Sequence, residues 1–156
     1  MAKLNIVKEG DPILRKKSRR VEVIDDRIKQ LAADMLETMR DANGAGLAAV
    51  QVGKLRRMVV VETEPDHPYI LINPEIIKRE GHQTEAEGCL SIPGKWGLTN
   101  RPMTVTVRAT GLDGREFTVT GSGLTARAFC HELDHLEGKL FTDDVIRMLD
   151  PDEVEA

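Results

Sequence analysis

Apolar residues in this chain follow two spacings. Between Asp25 and Asn43, Ile28, Leu31, Met35 and Met39 recur every three or four positions, and Ala32 and Leu36 widen the stripe. That period predicts a long core-packing helix, capped by Asp25 or Asp26 and ended by Asn43-Gly44. Leu124, Ala128, His131 and His135 repeat in the same way, and Gly138 is a natural stop, so a second helix is predicted there. Asp11-Pro12-Ile13-Leu14-Arg15 reads as a short helical start, with Asp11 as N-cap and Pro12 in the first turn.

Elsewhere the period is two or the run is continuously apolar. Thr104 to Arg108 and Phe117 to Thr120 alternate, and Asp113-Gly114 between them is a hairpin signal. Arg57 to Val61 and Tyr69 to Ile72 read as buried strands, the second ended by Asn73-Pro74. Gly81 to Glu87 alternates weakly, as an edge strand does, and Gly88 to Pro102 is expected to be a loop. Gly121-Ser122-Gly123 separates the hairpin from the second long helix. A last short helix is expected from Asp143 to Leu149, followed by a frayed acidic tail over residues 151–156. The fold class is therefore α+β: one compact domain over residues 1–156, with short, mainly antiparallel strands around the His-bearing helix and the other long helix on the N-terminal side.

Composition narrows this picture. The 156 residues are 40% hydrophobic and 31% charged, as in a globular domain, and aromatics are only 3%, so Leu, Ile, Val and Met must build the core. The net charge of −4 argues against nucleic acid as a direct partner. Met1 to Ile6 has no signal-like apolar run and no later stretch could span a bilayer, so a cytoplasmic location and no membrane partner are expected. Cys89 and Cys130 in a reducing compartment point to a ligand or a buried thiol rather than a disulfide.

Chemistry enters at His131-Glu132-Leu133-Asp134-His135. Four residues apart on a helix, both imidazoles share one face and can hold one metal ion, with Glu132 in reach of a water there. Two surface histidines flanking a carboxylate are the plain alternative, but the chain has only four His. A catalytic site needs a third protein ligand and an open position. A third His six residues after His135 is missing, because Phe141 stands there. Downstream Glu153 and Glu155 lie in the tail. Cys89, in Glu87-Gly88-Cys89-Leu90-Ser91, is the strong candidate, and a small buried hydrophobe is its other reading. Cys130 points about 100° around the helix from the His face.

Three blocks in order resemble peptide deformylase: Gly44-Ala45-Gly46-Leu47-Ala48-Ala49-Val50-Gln51, then Glu87 to Ser91, then His131 to His135. Ala45 stands where that family usually has a larger aliphatic residue, and Cys130 where it usually has Gln. The resemblance implies a metal-dependent hydrolase that removes the N-formyl group from formylmethionyl nascent peptides and releases formate. It implies that Cys89, His131 and His135 hold one divalent metal, and that Glu132 takes a proton from water and passes it to the leaving amine. Gln51 and the backbone N–H of Leu90 would then donate to the developing oxyanion.

Iron(II) is the implied metal, and the same donors suit zinc or nickel. Gly44 and Gly46 would lie along the substrate, with Gly46 offering backbone hydrogen bonds; a close-packed turn is the other reading and both can hold. Leu124 and Ala128 are expected in the pocket for the methionine side chain, and Arg127 at its rim or on the solvated surface. Asp134 is assigned a structural part, pairing with Arg101. The ribosome is the expected transient partner. A zinc peptidase lacks its downstream ligand here, a structural metal site leaves Glu132 and Gln51 without purpose, and a Cys89 thiol hydrolase would survive chelation.

Overall fold

The two long helices form where the apolar period places them, and they sandwich a sheet. In the computed structural model, which describes residues 3–154, α1 is Asp26–Asp41 and α2 is Leu124–Leu136. Asp25 is the N-cap of α1, its side chain accepting from the Ile28 N–H at 3.1 Å. A five-stranded antiparallel sheet joins β1 (Gly46–Ala48), β2 (Met58–Val61), β3 (Tyr69–Glu80), β6 (Thr104–Thr110) and β7 (Glu116–Ser122), in that order. A second sheet orders β4 (Gln83–Cys89), β5 (Ile92–Arg101) and β8 (Arg147–Leu149).

Strand β2 shows why the chain folds this way. All four of its residues are buried, because the sheet is covered on both faces there. Val59 and Val61 pack with Phe129, Leu133 and Leu136 of α2, whereas Met58 and Val60 pack with Ile28, Met35 and Met39 of α1. The alternation of side chains along a strand turns one apolar run into two cores. Phe129 is fully buried and meets Tyr69 edge-on, ring centroids 5.7 Å apart. A third cluster, Leu14, Ile92, Leu140 and Phe141, lies beside Cys89.

Four expectations are corrected. Asn73-Pro74 does not end its strand: β3 runs on to Glu80 through a register shift between Ile72 and Glu75. The Asn73 side chain accepts from the N–H of Val21 and donates to its carbonyl, so the bulge is anchored and the missing Pro74 N–H is absorbed. Gly88 to Pro102 is not a loop but largely β5, paired with β4 from Gln83↔Arg101 to Cys89↔Ile92. Asp143 to Leu149 forms the end of a 3₁₀ turn (Phe141–Asp143) and then β8 rather than a helix. The strands are also not uniformly short, since β3 has 12 residues and β5 has 10. In the tail, Pro151–Val154 makes a helical turn, α3, pinned by Glu153 to Arg147 at 2.6 Å, and residues 155–156 lie outside the described residues.

Helix α2 is buried on nearly every side. Gly138 follows it at φ 77°, where a Cβ would lie 2.5 Å from the Arg15 carbonyl oxygen. Only glycine accepts both the left-handed conformation and that contact. The Ser18 N–H caps the last turn by donating to the Leu136 carbonyl at 2.8 Å.

Candidate active site

Three elements bring the chemistry-bearing side chains together. Helix α2 places His131 and His135 one turn apart, with Nε2 atoms 3.2 Å from each other. Strand β4 ends in Cys89, whose Sγ lies 3.4 Å from His135 Nε2. The three ligand atoms all fall within 4.8 Å of one another. Two imidazole nitrogens facing each other cannot both carry protons. Against burial, Glu132, Cys89 and Glu87 hold His131 well above its usual pKa, while burial and His131 push His135 well below. The cluster is therefore suited to one shared cation. A thiolate and two imidazoles are good donors for a borderline divalent metal, and their geometry fits one.

Glu132 sits beside this cluster and is 4% exposed. Burial pushes its carboxyl up to about 7, and among the described residues its Oε1 has no hydrogen-bond partner. Strand β1 runs so close that a Cβ on Gly46 would lie 2.7 Å from Glu132 Oε2. The two elements can touch there only because the position is glycine. Gln51 lies in the 3₁₀ turn Ala49–Val52 that follows β1. Its Oε1 accepts from the Ala48 N–H at 2.9 Å, which orients the amide. Nε2 then donates to Ser91 Oγ at 3.1 Å and points toward Cys89 Sγ, 3.6 Å away. The N-terminal segment ties both sides of this arrangement, Val7 N–H to the Gln51 carbonyl and Glu9 N–H to the Ser91 carbonyl, each at 2.7 Å.

A cavity of about 420 Å³ opens beside these groups, bordered by Gly44, Gly46, Leu90, Trp96, Leu124 and Ala128. The Leu90 side chain covers Gly44. Leu124 is 57% exposed at the surface end of α2, and Ala128 is buried one turn further in. Arg127 also borders the cavity, but it is neither solvated nor free at the rim. It is 4% exposed, donates to Glu87 Oε1 at 2.8 Å and to the Thr99 carbonyl at 3.2 Å, and contacts the Thr99 hydroxyl. Cys130 faces away from the cluster, into the core with Leu133, and burial raises its thiol pKa.

Glu87 is the residue that sequence reasoning missed. Its Oε2 meets His131 Nδ1 at 2.5 Å and Arg101 at 2.7 Å, and Thr99 Oγ donates to Oε1 at 2.8 Å. Burial opposes its charge, but His131 and Arg101 outweigh that and hold the carboxyl well below the usual range. Arg101 in turn donates to Asp134 at 2.7 Å, the pairing expected from sequence. The signal was available: a ligating His usually donates its other N–H to a carboxylate, and Glu87 precedes Cys89 by two on the strand that reaches α2. The other histidine has no such support, since His135 Nδ1 is buried without a partner among the described residues.

Comparison with known proteins places this geometry. The family model for polypeptide deformylase matches residues 3–150. A peptide deformylase of Acetivibrio thermocellus is 56% identical over 155 residues, covering 99% of this chain and 91% of that one. Another, of Thermomicrobium roseum, is 52% identical over 153 residues, covering 93% and 87%. A crystal structure of a peptide deformylase from Legionella pneumophila superposes with TM-score 0.89 at 40% identity, covering 96% of this chain and 88% of that chain. One from Synechococcus elongatus in complex with actinonin gives 0.89 at 41%, covering 93% and 83%.

Proposed function

The chain belongs to the polypeptide deformylase family, and from that premise we propose how its own residues divide the work. Members of the family are hydrolases that remove the N-formyl group from nascent peptides, and this chain is such an enzyme. In our reading Cys89, His131 and His135 hold one divalent metal. Iron(II) is the working ion, and zinc or nickel fits the same donors. When bound, the metal supplies Lewis acidity and brings the pKa of a water toward about 7.

Glu132 does the proton transfer. The water oxygen bonds to the formyl carbon while its proton passes to the Glu132 carboxylate. The C–N bond then breaks, Glu132 returns that proton to the leaving amine, and formate departs. The carboxyl is buried beside the three ligand atoms with one oxygen unpartnered among the described residues, which places it to accept that proton and return it. Gln51 Nε2 and the Leu90 N–H donate to the formyl oxygen as it gains charge, and losing one such donor costs roughly a hundred- to a thousandfold in rate. Gly44 and Gly46 line the path of the peptide backbone. Leu124 and Ala128 contact the methionine side chain, with Arg127 bracing the wall behind them through Glu87. The single observation that carries this reading is the buried Glu132, with one oxygen unpartnered among the described residues, beside three convergent ligand atoms at an open cavity.

The substrate is a nascent chain, so the proposed setting is the cytoplasm and the proposed partner is the ribosome. No helix is long and apolar enough to cross a membrane among the described residues. The test is formate release from a short formyl-Met peptide, with protein prepared without oxygen and loaded with iron(II) or nickel(II). Wild type is expected to release formate, to stop on chelation and to spare an acetyl-Met peptide, while Glu132→Ala and Cys89→Ala release none. Metal binding without formate release would refute the assignment.

A further inference from the structure

The chain has one Trp, one Tyr and three Phe. Aromatic rings are its largest apolar groups, yet Trp96 belongs to none of the core clusters among the described residues and is 42% exposed. Of the large apolar side chains left exposed among the described residues, only Trp96 and Leu124 border the active-site cavity. Leu124 is placed against the methionine side chain in the reading above. Trp96 has no part in it.

Trp96 lies on β5, paired with Gly88 of β4, the residue before Cys89. A Cβ on Gly88 would lie 2.8, 2.9 and 3.0 Å from three atoms of the indole's six-membered ring, so the ring covers bare backbone there. On the same two strands, Glu87 and Thr99 turn to Arg127 of α2, and Glu87 also to His131. Side chains alternate along a strand, so Gly88 and Trp96 occupy the face that turns away from α2. An extended peptide alternates in the same way. With the methionine side chain directed at Leu124 and Ala128 of α2, the side chain of the next residue points away from α2. It then meets Trp96 and Leu90, which both border the cavity. A half-open indole is a large, rigid apolar wall, and covering it with another apolar group removes both surfaces from water.

We infer that Trp96 is a specificity-determining residue: it receives the side chain of the residue that follows formylmethionine and favours an apolar or aromatic one. The inference rests on the deformylase reading, which sets the direction of the methionine side chain.

The test compares kcat/KM for formyl-Met-Phe-Ser and formyl-Met-Ala-Ser, using metal-loaded full-length protein. Wild type is expected to prefer the Phe peptide by roughly fivefold, the scale of one aromatic pair. Trp96→Ala is expected to bring the ratio close to one, and Trp96→Phe to keep most of it. Met148→Ala, which removes an exposed apolar side chain of β8 that does not border the cavity, is expected to keep the wild-type ratio. If Trp96 only shields Gly88, Trp96→Ala lowers both rates together and leaves the ratio intact, which would overturn the proposal.

Because Trp96 is the single tryptophan, its fluorescence reports on this wall alone. In metal-loaded Glu132→Ala, which binds peptide without consuming it, the Phe peptide is expected to shift the emission to the blue and the Ala peptide to shift it less. An emission that the Phe peptide leaves unmoved, or a wild-type ratio near one, would also overturn the proposal. If the emission shifts but wild type releases no formate, the catalytic reading falls and the Trp96 contact stands. If wild type releases formate from both peptides with equal kcat/KM, the catalytic reading stands and the Trp96 assignment falls.

Discussion

Glu87→Gln is the most informative single change. The carboxylate receives Thr99 Oγ at 2.8 Å, Arg101 Nε at 3.0 Å and Nη2 at 2.7 Å, Arg127 Nη1 at 2.8 Å and His131 Nδ1 at 2.5 Å. Glutamine keeps the shape but removes the charge and turns one acceptor into a donor that faces donors. Arg101 retains Asp134. Arg127, buried, retains only Thr99. Removing one partner of a buried ion pair costs roughly 3–5 kcal/mol. At about 2–4 °C per kcal/mol for a domain of this size, the melting temperature is expected to fall by about 10 °C.

His131 also loses the acceptor that fixes its ring, which typically costs roughly ten- to a hundredfold in metal affinity. Thermal unfolding of loaded and chelated protein, with metal competition against a chelator, measures both effects. Because Arg127→Met removes the stranded cation, the double variant is expected to be less damaged than the sum of the singles, by more than about 1 kcal/mol. A Glu87→Gln variant that melts within about 2 °C of wild type and binds metal equally well would refute this account of the network.

Three further outcomes are expected. Gly46→Ala puts a Cβ 2.7 Å from Glu132 Oε2 and 2.8 Å from its Cγ, so the carboxylate must shift from its place beside the ligand cluster, and turnover of a formyl peptide should drop by about a hundredfold while metal content, measured by elemental analysis, is kept. Phe129→Ala empties the fully buried site between α2 and Tyr69 and should cost roughly 3–5 kcal/mol in denaturant unfolding. In metal-free protein, the Glu132 carboxyl at about 7 lies above its unfolded value, so the folded state binds more protons between the two, and ionising Glu132 destabilises the fold as pH rises through 7. Glu132→Gln should therefore gain stability over wild type at pH 8 relative to pH 5.5, and an equal gap at both pH values would count against it.

Local pattern revealed much of this molecule. Both long helices, the Asp113-Gly114 hairpin and the doubly buried Met58–Val61 strand were legible because a side chain's face repeats every 3.6 or 2 residues. β5 and β8 were not legible. Pro93, Gly94 and Gly97 obscure the period of β5, and its partners, β4 and β8, hold it in place.

By itself, then, the sequence determined what short-range geometry governs: the facing imidazoles of His131 and His135, the caps, the turns and the alternating core. Only the tertiary structure decided that Cys89 meets them, that Gln51 turns its amide toward Cys89, and that Arg127 is buried against Glu87 rather than solvated. The reason is that a buried charge is tolerable only beside its opposite. Which opposite it meets depends on how β4 and α2 pack, and their residues stand about forty positions apart in the chain, beyond the reach of any local period.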